Sequence, residues 1–291
     1  MCFFLLFSNH KTRRKSVQDN EKYSLNLFSL TFLVLIHILA IGAFLPENFS
    51  WGAVWLFFFL YWLTASVGIC LGFHRLLTHR SLVLPRYLER LVVLCGVLAC
   101  ENGPVKWVAQ HRMHHKGSDT IKDPHNAGKG FWWAHFGWMC YRHEEFDHSE
   151  VIEKSAADIY EDAFFRALDH PMVVIGIQAL LGEILLSIGG WPWVFWGIFL
   201  RLVVVWHATW LVNSAAHYFG YQNFDTGDLS TNCWWVGLLA WGEGWHNNHH
   251  ALPRSARHGL RWFEIDMTWW LICILKKWRI ATRVHTARLA S

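Results

Sequence analysis

Two five-residue clusters constrain this chain more than anything else in it: His111-Arg112-Met113-His114-His115 and His246-Asn247-Asn248-His249-His250. In each, histidines stand at i, i+3 and i+4, offsets that share one face of a helix. Imidazoles presented this way can ligate one metal ion or two neighbouring ones. Two more groups join them. His74 and His79 lie five apart, and Asn213 and His217 lie four apart. Five residues turn a regular helix by about 140°. His74 and His79 therefore cannot face one ion from a straight helix, and the chain is expected to bend or end there.

Hydropathy places these groups. The chain is 53% hydrophobic and 16% charged, against roughly 25% charged in soluble domains. Twenty tryptophans suit a membrane–water boundary. Residues 27–45, 51–73, 172–190 and 193–213 form apolar runs, each long enough for about 30 Å of hydrocarbon. The turns between them, 46–50 and 189–192, hold no Lys or Arg. Basic residues gather near the ends instead, so the positive-inside rule puts both termini and the long middle stretch on the cytoplasmic side. Residues 91–100 are apolar but too short to cross, and are expected to form a buried or interfacial helix. A crossing there would put His111–His115 on the opposite side from His74 and His79.

The expected fold is an all-α integral membrane protein: four transmembrane helices in two hairpins, with a cytosolic helical cap holding a His-rich site. Residues 1–26 form a cytosolic N-terminal segment, 27–277 a single four-span domain, and 278–291 a basic tail. No cleaved signal peptide is expected, because Lys11, Arg13, Arg14 and Lys15 follow the apolar start instead of preceding it. Seven cysteines without a CxxC pair read as reduced thiols. A net charge of +4, clustered near the ends, argues against a nucleic-acid partner. Glu183 and Arg201 are the charged residues inside spans three and four, at similar depth, and are expected to pair.

The histidines in the four groups are His74, His79, His111, His114, His115, His217, His246, His249 and His250. Zinc takes four ligands, so this set fits two ions with four or five nitrogens each. Nitrogen-rich, higher-coordinate sites suit iron, and two close irons can accept O2. The zinc-protease pattern HExxH is absent; His143-Glu144-Glu145-Phe146-Asp147-His148 misses it by one residue. Glu145/His148 and Glu243/His246 match ferritin-like spacing, but the second merges into a histidine cluster. A heme would leave most of the histidines unexplained. His37, His207 and His258 read as packed or hydrogen-bonded. His125, His135, His143, His148 and His170 read as surface or supporting groups. Asp119 and Asp123 can accept N–H bonds from ligand imidazoles, which fixes their tautomer.

At these motifs the sequence resembles the membrane fatty acyl desaturases, and within them the cyanobacterial Δ9 acyl-lipid desaturases. The likeness includes Gly72-Phe73-His74-Arg75, Lys129-Gly130-Phe131-Trp132-Trp133 and Gly242-Glu243-Gly244-Trp245-His246, and runs from about residue 27 to 277. It implies an O2-dependent enzyme that places a cis double bond, at Δ9, in a saturated, lipid-linked acyl chain. It implies two iron ions. One is held by His74, His79, His111, His115 and His249. The other is held by His114, His217, His246 and His250, with Asn213 reaching it through water. Trp107, Gln110 and Trp210 are expected along an acyl tunnel. Animal acyl-CoA relatives carry Arg-Asp where this chain has Ala109-Gln110, and a phosphate-rich CoA head favours Arg. An acyl-CoA desaturase is the alternative substrate reading, and a di-iron hydroxylase or ketolase the alternative chemistry. The chain shows no nucleotide-binding glycine loop, Cys cluster or heme domain, so an external electron donor, ferredoxin or cytochrome b5, is expected.

Overall fold

The computed structural model describes residues 23–287; the basic group Lys11–Lys15 lies outside them. A short β1 (Ser24–Leu25) pairs antiparallel with β2 (Tyr141–Arg142). The other elements of the described residues are helical. Helix α1 (Leu27–Ile41) starts where the Asn26 side chain accepts from the Ser29 amide. Helix α2 (Trp51–Tyr61) starts on Ser50, which caps the Ala53 amide, and continues as a π-wound segment, Trp62–Thr78. Then come α3 (Arg86–Val97), α4 (Pro104–Gly117), α5 (Phe131–His135), and the short helices α6 (Glu144–Asp147), α7 (Ser149–Ser155), α8 (Ala157–Tyr160) and α9 (Ala163–Leu168). Helix α10 (Pro171–Val194) leads through a π turn, Phe195–Leu200, into α11 (Arg201–Asn213). The chain closes with α12 (Trp234–Leu239), α13 (His246–Ala251) and α14 (Met267–Lys277).

Three stretches are long and apolar enough to cross a membrane: Leu27–Phe44, Trp51–Thr78 and Pro171–His217. The third is broken at Gly190 (φ 66, ψ −163), a conformation that only glycine adopts readily. Across the break Gln178 meets Arg201, and a Cβ on Gly197 would stand 2.7 Å from Leu185 Cδ1. Both pairs are roughly symmetric about Gly190, so the chain folds back on itself there. The indole N–H of Trp196 donates to the Asn48 carbonyl at 2.9 Å. The segment just before α2 and the start of the chain after Gly190 therefore lie side by side.

Residues 91–100 belong mostly to α3, which buries Val93, Gly96 and Val97 and exposes Tyr87 and Leu91. It lies close to the π segment because Gly68 and Gly96 face each other; a Cβ on Gly68 would stand 2.4 Å from the Gly96 nitrogen. The loop after α3 exposes backbone carbonyls to the interior, and three side chains from the apolar stretches cover them. Arg201 Nη1 and Gln178 Nε2 donate to the Leu98 carbonyl, the first at 2.7 Å, and Trp206 Nε1 donates to the Ala99 carbonyl at 2.7 Å.

The expected Glu183–Arg201 pair does not form. Arg201 is fully buried, and its other bonds go to the Gly197 carbonyl at 2.6 Å and Gln178 Oε1 at 3.2 Å. Glu183 is exposed on the outer face of α10. Neutral carbonyl dipoles, gathered at a helix end, replace the carboxylate. Accordingly, Glu183→Gln should leave the thermal midpoint of purified protein unchanged. Arg201→Met should lower stability by about 2–3 kcal/mol, the scale of hydrogen bonds to a charged donor.

His37 and His207 are joined in series and are not solitary. His37 Nε2 lies 3.1 Å from His207 Nε2, His207 Nδ1 lies 3.0 Å from His135 Nε2, and His135 Nδ1 lies 2.9 Å from Ser214 Oγ. The series ties α1, α11 and α5 together. His148 and His170 are exposed. His143 is buried, its Nε2 2.9 Å from the Trp138 carbonyl. The six cysteines among the described residues are free thiols.

Candidate metal centre

The π segment resolves the five-residue spacing. Its i→i+5 hydrogen bonding widens the turn, so residues five apart stack on one side. The His79 amide donates to the His74 carbonyl at 3.1 Å, the helix stops there, and the two rings lie 4.9 Å apart. Helix α4, opened by Pro104 at its first position, carries His111, His114 and His115. A 3-10 turn, Ala215–His217, at the end of α11 carries His217. Helix α13 carries His246, His249 and His250.

The asparagines inside the last cluster are structural. Asn247 Oδ1 accepts from the Asn223 and Phe224 amides, while Asn248 Nδ2 donates to Glu264 and to the His258 carbonyl. A helix of six residues is thereby fixed in place.

All nine histidines converge, in two groups. Ring nitrogens of His74, His79, His111, His115 and His249 lie within 4.8 Å of one another, and so do those of His114, His217, His246 and His250. Four carboxylates hold rings from both groups. Glu243 takes His74 Nδ1 at 2.7 Å, Asp123 takes His114 Nδ1 at 2.9 Å, Asp119 takes His217 Nδ1 at 3.0 Å, and Asp228 takes His250 Nδ1 at 2.7 Å. Asp119 and Asp123, singled out in the sequence, each lie beside one of these rings. Asp228 and Glu243 were missed in that role, although Glu243 stands three residues before His246. His258, expected to be packed or hydrogen-bonded, has its Nδ1 3.0 Å from Glu243. His125 is buried, its ring centroid 4.2 Å from that of His114.

This arrangement fits bound cations. In a neutral ring whose Nδ1–H is given to a carboxylate, Nε2 offers only a lone pair. His114 and His250 are both so committed, yet their Nε2 atoms stand 3.1 Å apart. Lone pair faces lone pair, and a shared cation satisfies both. The Nε2 atoms of His79, His217 and His246 are buried with no hydrogen-bond partner among the described residues. Metal–imidazole bonds of about 2.1 Å would set adjacent nitrogens about 3 Å apart. The His249–His115 and His74–His249 nitrogens lie at 2.8 and 3.0 Å.

Electrostatics point the same way. Burial first, then the neighbouring rings, hold His111, His115, His246 and His249 neutral. Burial would raise the Asp119 carboxyl, but the His217 ring beside it takes it down to about 2. Burial opposes ionisation of Glu243 too, and His74 and Arg75 hold it well below the usual carboxylate range.

A cavity of about 330 Å³ opens beside the histidines, lined in part by Trp107, Gln110, His111, Trp210 and Asn213. Its inner end meets a narrower pocket of about 40 Å³ through Trp107, His111, Thr209 and Asn213. The Trp107 indole stacks on His111 at 5.0 Å. The same cavity contains Glu101, which no motif singles out. Burial pushes its carboxyl up to about 8, against the hydrogen bonds from Thr209 and Trp107. A folded-state pKa above the ordinary 4.5 means that the neutral acid supports the fold. That contribution is complete below pH 4.5 and is lost as pH rises through about 8. The thermal midpoint should therefore fall as pH rises from about 4.5 toward about 8, and Glu101→Gln should flatten that dependence in melting curves.

The class follows from these parts: a chain with membrane-length apolar helices whose ends converge on two imidazole cages able to hold metal ions. The chain belongs to the fatty acid desaturase family, whose family model matches residues 49–272. It is 50% identical over 272 residues to an sn-1 stearoyl-lipid 9-desaturase of Anabaena variabilis, covering 94% of this chain and 98% of that one. An sn-1 stearoyl-lipid 9-desaturase of Synechocystis sp. is 52% identical over 244 residues, 84% of this chain and 75% of the relative. An sn-2 palmitoyl-lipid 9-desaturase of Nostoc sp. is 45% identical over 261 residues, 89% and 90% of the two chains.

Proposed function

We propose that this chain desaturates a saturated acyl chain while it is esterified in a membrane lipid, placing a cis double bond at Δ9. The observation that carries the substrate class is the wall of the cavity. Among the described residues its single Lys or Arg is Lys106, and that amine is paired with Asp147 at 2.8 Å. Asp147 offsets that charge, Asp169 accepts the Val105 and Lys106 amides, and Glu101 is held as the neutral acid, so this wall offers no free cation among the described residues. A CoA head, rich in phosphate, needs unpaired cations; an esterified glycerolipid does not. The names of the three relatives given above agree with this reading, while relatives from Anemone leveillei and Limnanthes douglasii at 42% identity are named as acyl-CoA 5-desaturases.

In it, His74, His79, His111, His115 and His249 hold one iron, and His114, His217, His246 and His250 hold the other, with Asn213 reaching the second through water. When bound, the pair supplies the oxidising power that removes two hydrogens from an unactivated methylene pair, using O2 and two electrons. The protein's part is placement. Trp107 and Trp210 flank the acyl chain, and the narrowing at Thr209 and Asn213 sets which carbons lie beside His111. The four carboxylates keep the imidazoles aimed. The bundle crosses the bilayer four times, with both chain reversals on the far side and the histidines and termini on the cytoplasmic side. Electrons come from an external carrier, ferredoxin or cytochrome b5, and purified protein given NADPH alone should be inactive.

The test is expression in a host that lacks unsaturated lipids, followed by lipid analysis. A new cis-9 double bond in glycerolipid acyl chains is the expected product. A hydroxy or keto product would assign the chain to the hydroxylase or ketolase class. Unsaturation appearing first in the acyl-CoA pool would refute the lipid-linked substrate.

A further inference from the structure

Helix α14 is apolar on both sides. Its inner face buries Thr268 and Ile272 against the π segment, where Ile272 shares a cluster with Leu71 and Leu76. Its outer face shows Trp270, Ile274 and Trp278, 55%, 47% and 68% exposed. These stand at i, i+4 and i+8, one stripe along the helix. Counted from Trp51 at 1.5 Å per residue, and less in the π-wound part, about 30 Å of hydrocarbon ends roughly twenty residues on or later, at Leu71 or beyond. Thr268 lies inside that limit, its hydroxyl 3.0 Å from that of Ser66. Helix α14 thus starts at hydrocarbon depth and emerges at the surface.

At the surface the chain turns cationic. Lys276, Lys277, Arg279 and Arg283 are exposed, and none has an ion pair or hydrogen bond from its side chain among the described residues. Arg279 and Arg283 also hold left-handed backbone, φ 58 and φ 47, a strained state for a long side chain. The segment between them is pinned, because Val83 and Thr282 exchange both backbone hydrogen bonds at 2.9 Å. Four cations are therefore presented beside an aromatic stripe at the level of the lipid headgroups.

We propose that α14 and residues 276–283 form a binding site for an anionic phospholipid, its acyl chains along Trp270, Ile274 and Trp278 and its headgroup among Lys276, Lys277, Arg279 and Arg283. Tryptophan favours the boundary between chains and headgroups, and clustered cations just outside hydrocarbon select anionic lipid. The proposal rests on the bilayer placement above but not on the reaction, so lipid binding and desaturation fail separately.

The experiment offers purified full-length protein in mild detergent equal amounts of phosphatidylglycerol and phosphatidylcholine, and measures what is retained. The wild type should retain phosphatidylglycerol preferentially. A variant combining Lys276→Gln, Lys277→Gln, Arg279→Asn and Arg283→Asn should lose at least about tenfold of that preference while keeping its metal content; asparagine tolerates the left-handed positions. Trp270→Ala with Trp278→Ala should lower retention of both lipids. Arg279→Asn alone gives a graded loss if the fourfold variant does not fold. Equal retention of the two lipids by the wild type, or an unchanged preference in the variants, overturns the proposal. So does a wild-type dimer that these changes dissociate without any lipid discrimination. Loss of electron delivery with lipid preference intact would assign the cations to the electron carrier, and would also overturn it.

Discussion

Replacing His249 with alanine is expected to empty one of the two cages and to lower desaturation at least about a hundredfold, beyond the 10–100-fold seen when a supporting partner of a ligand is lost. His249 is the busiest ring in its group. Its Nε2 lies within 3.0 Å of those of His74 and His115, and its ring sits 4.6 Å from that of His79. It also comes from a helix of six residues held by Asn247 and Asn248, so the backbone should survive the change. Metal analysis checks this directly: about one iron per chain in the variant against about two in the wild type. Full turnover with both irons retained would sink the assignment.

Glu243→Ala should be nearly as damaging, by a different route. One carboxylate holds His74 at 2.7 Å and His258 at 3.0 Å, and bonds Arg75 Nη2 at 3.0 Å. Arg75 has no exposure at all, and its other carboxylate is Asp266 at 3.0 Å. Removing Glu243 leaves a buried guanidinium short of charge, a loss of about 3–5 kcal/mol for a broken buried pair. It also frees the His74 ring to turn, for a further 10–100-fold loss in metal affinity. Melting curves with and without added Fe²⁺ separate the two effects. If the variant bound iron as tightly as the wild type, Glu243 would not be positioning His74.

How far the sequence could be read differs from residue to residue. The nine histidines were legible because i, i+3, i+4 spacing is local and imidazole is a scarce side chain. The broken third apolar stretch was legible as the Gly189–Pro192 turn. The partners of the charged residues were not. Arg201 invited a carboxylate at equal depth, but a loop more than a hundred residues away supplies carbonyls instead. Asp228 and Glu243 reach His250 and His74 across 22 and 169 positions, and no spacing rule covers such distances. The π winding that reconciles His74 with His79 is a property of the whole Trp62–Thr78 segment. Glu101 carries no local signal; only the folded cavity shows that it is enclosed.

The four supporting carboxylates bear on more than geometry. Asp119, Asp123, Asp228, Glu243 and Asp266 stand around the cages with Arg75 shared between Glu243 and Asp266, which leaves four net negative charges. Two ferrous ions would bring four positive charges, so a loaded reduced centre would be electroneutral and would place no net charge in the buried interior. Oxidation of both ions would break that balance by two charges, so this set of carboxylates would favour a ferrous pair.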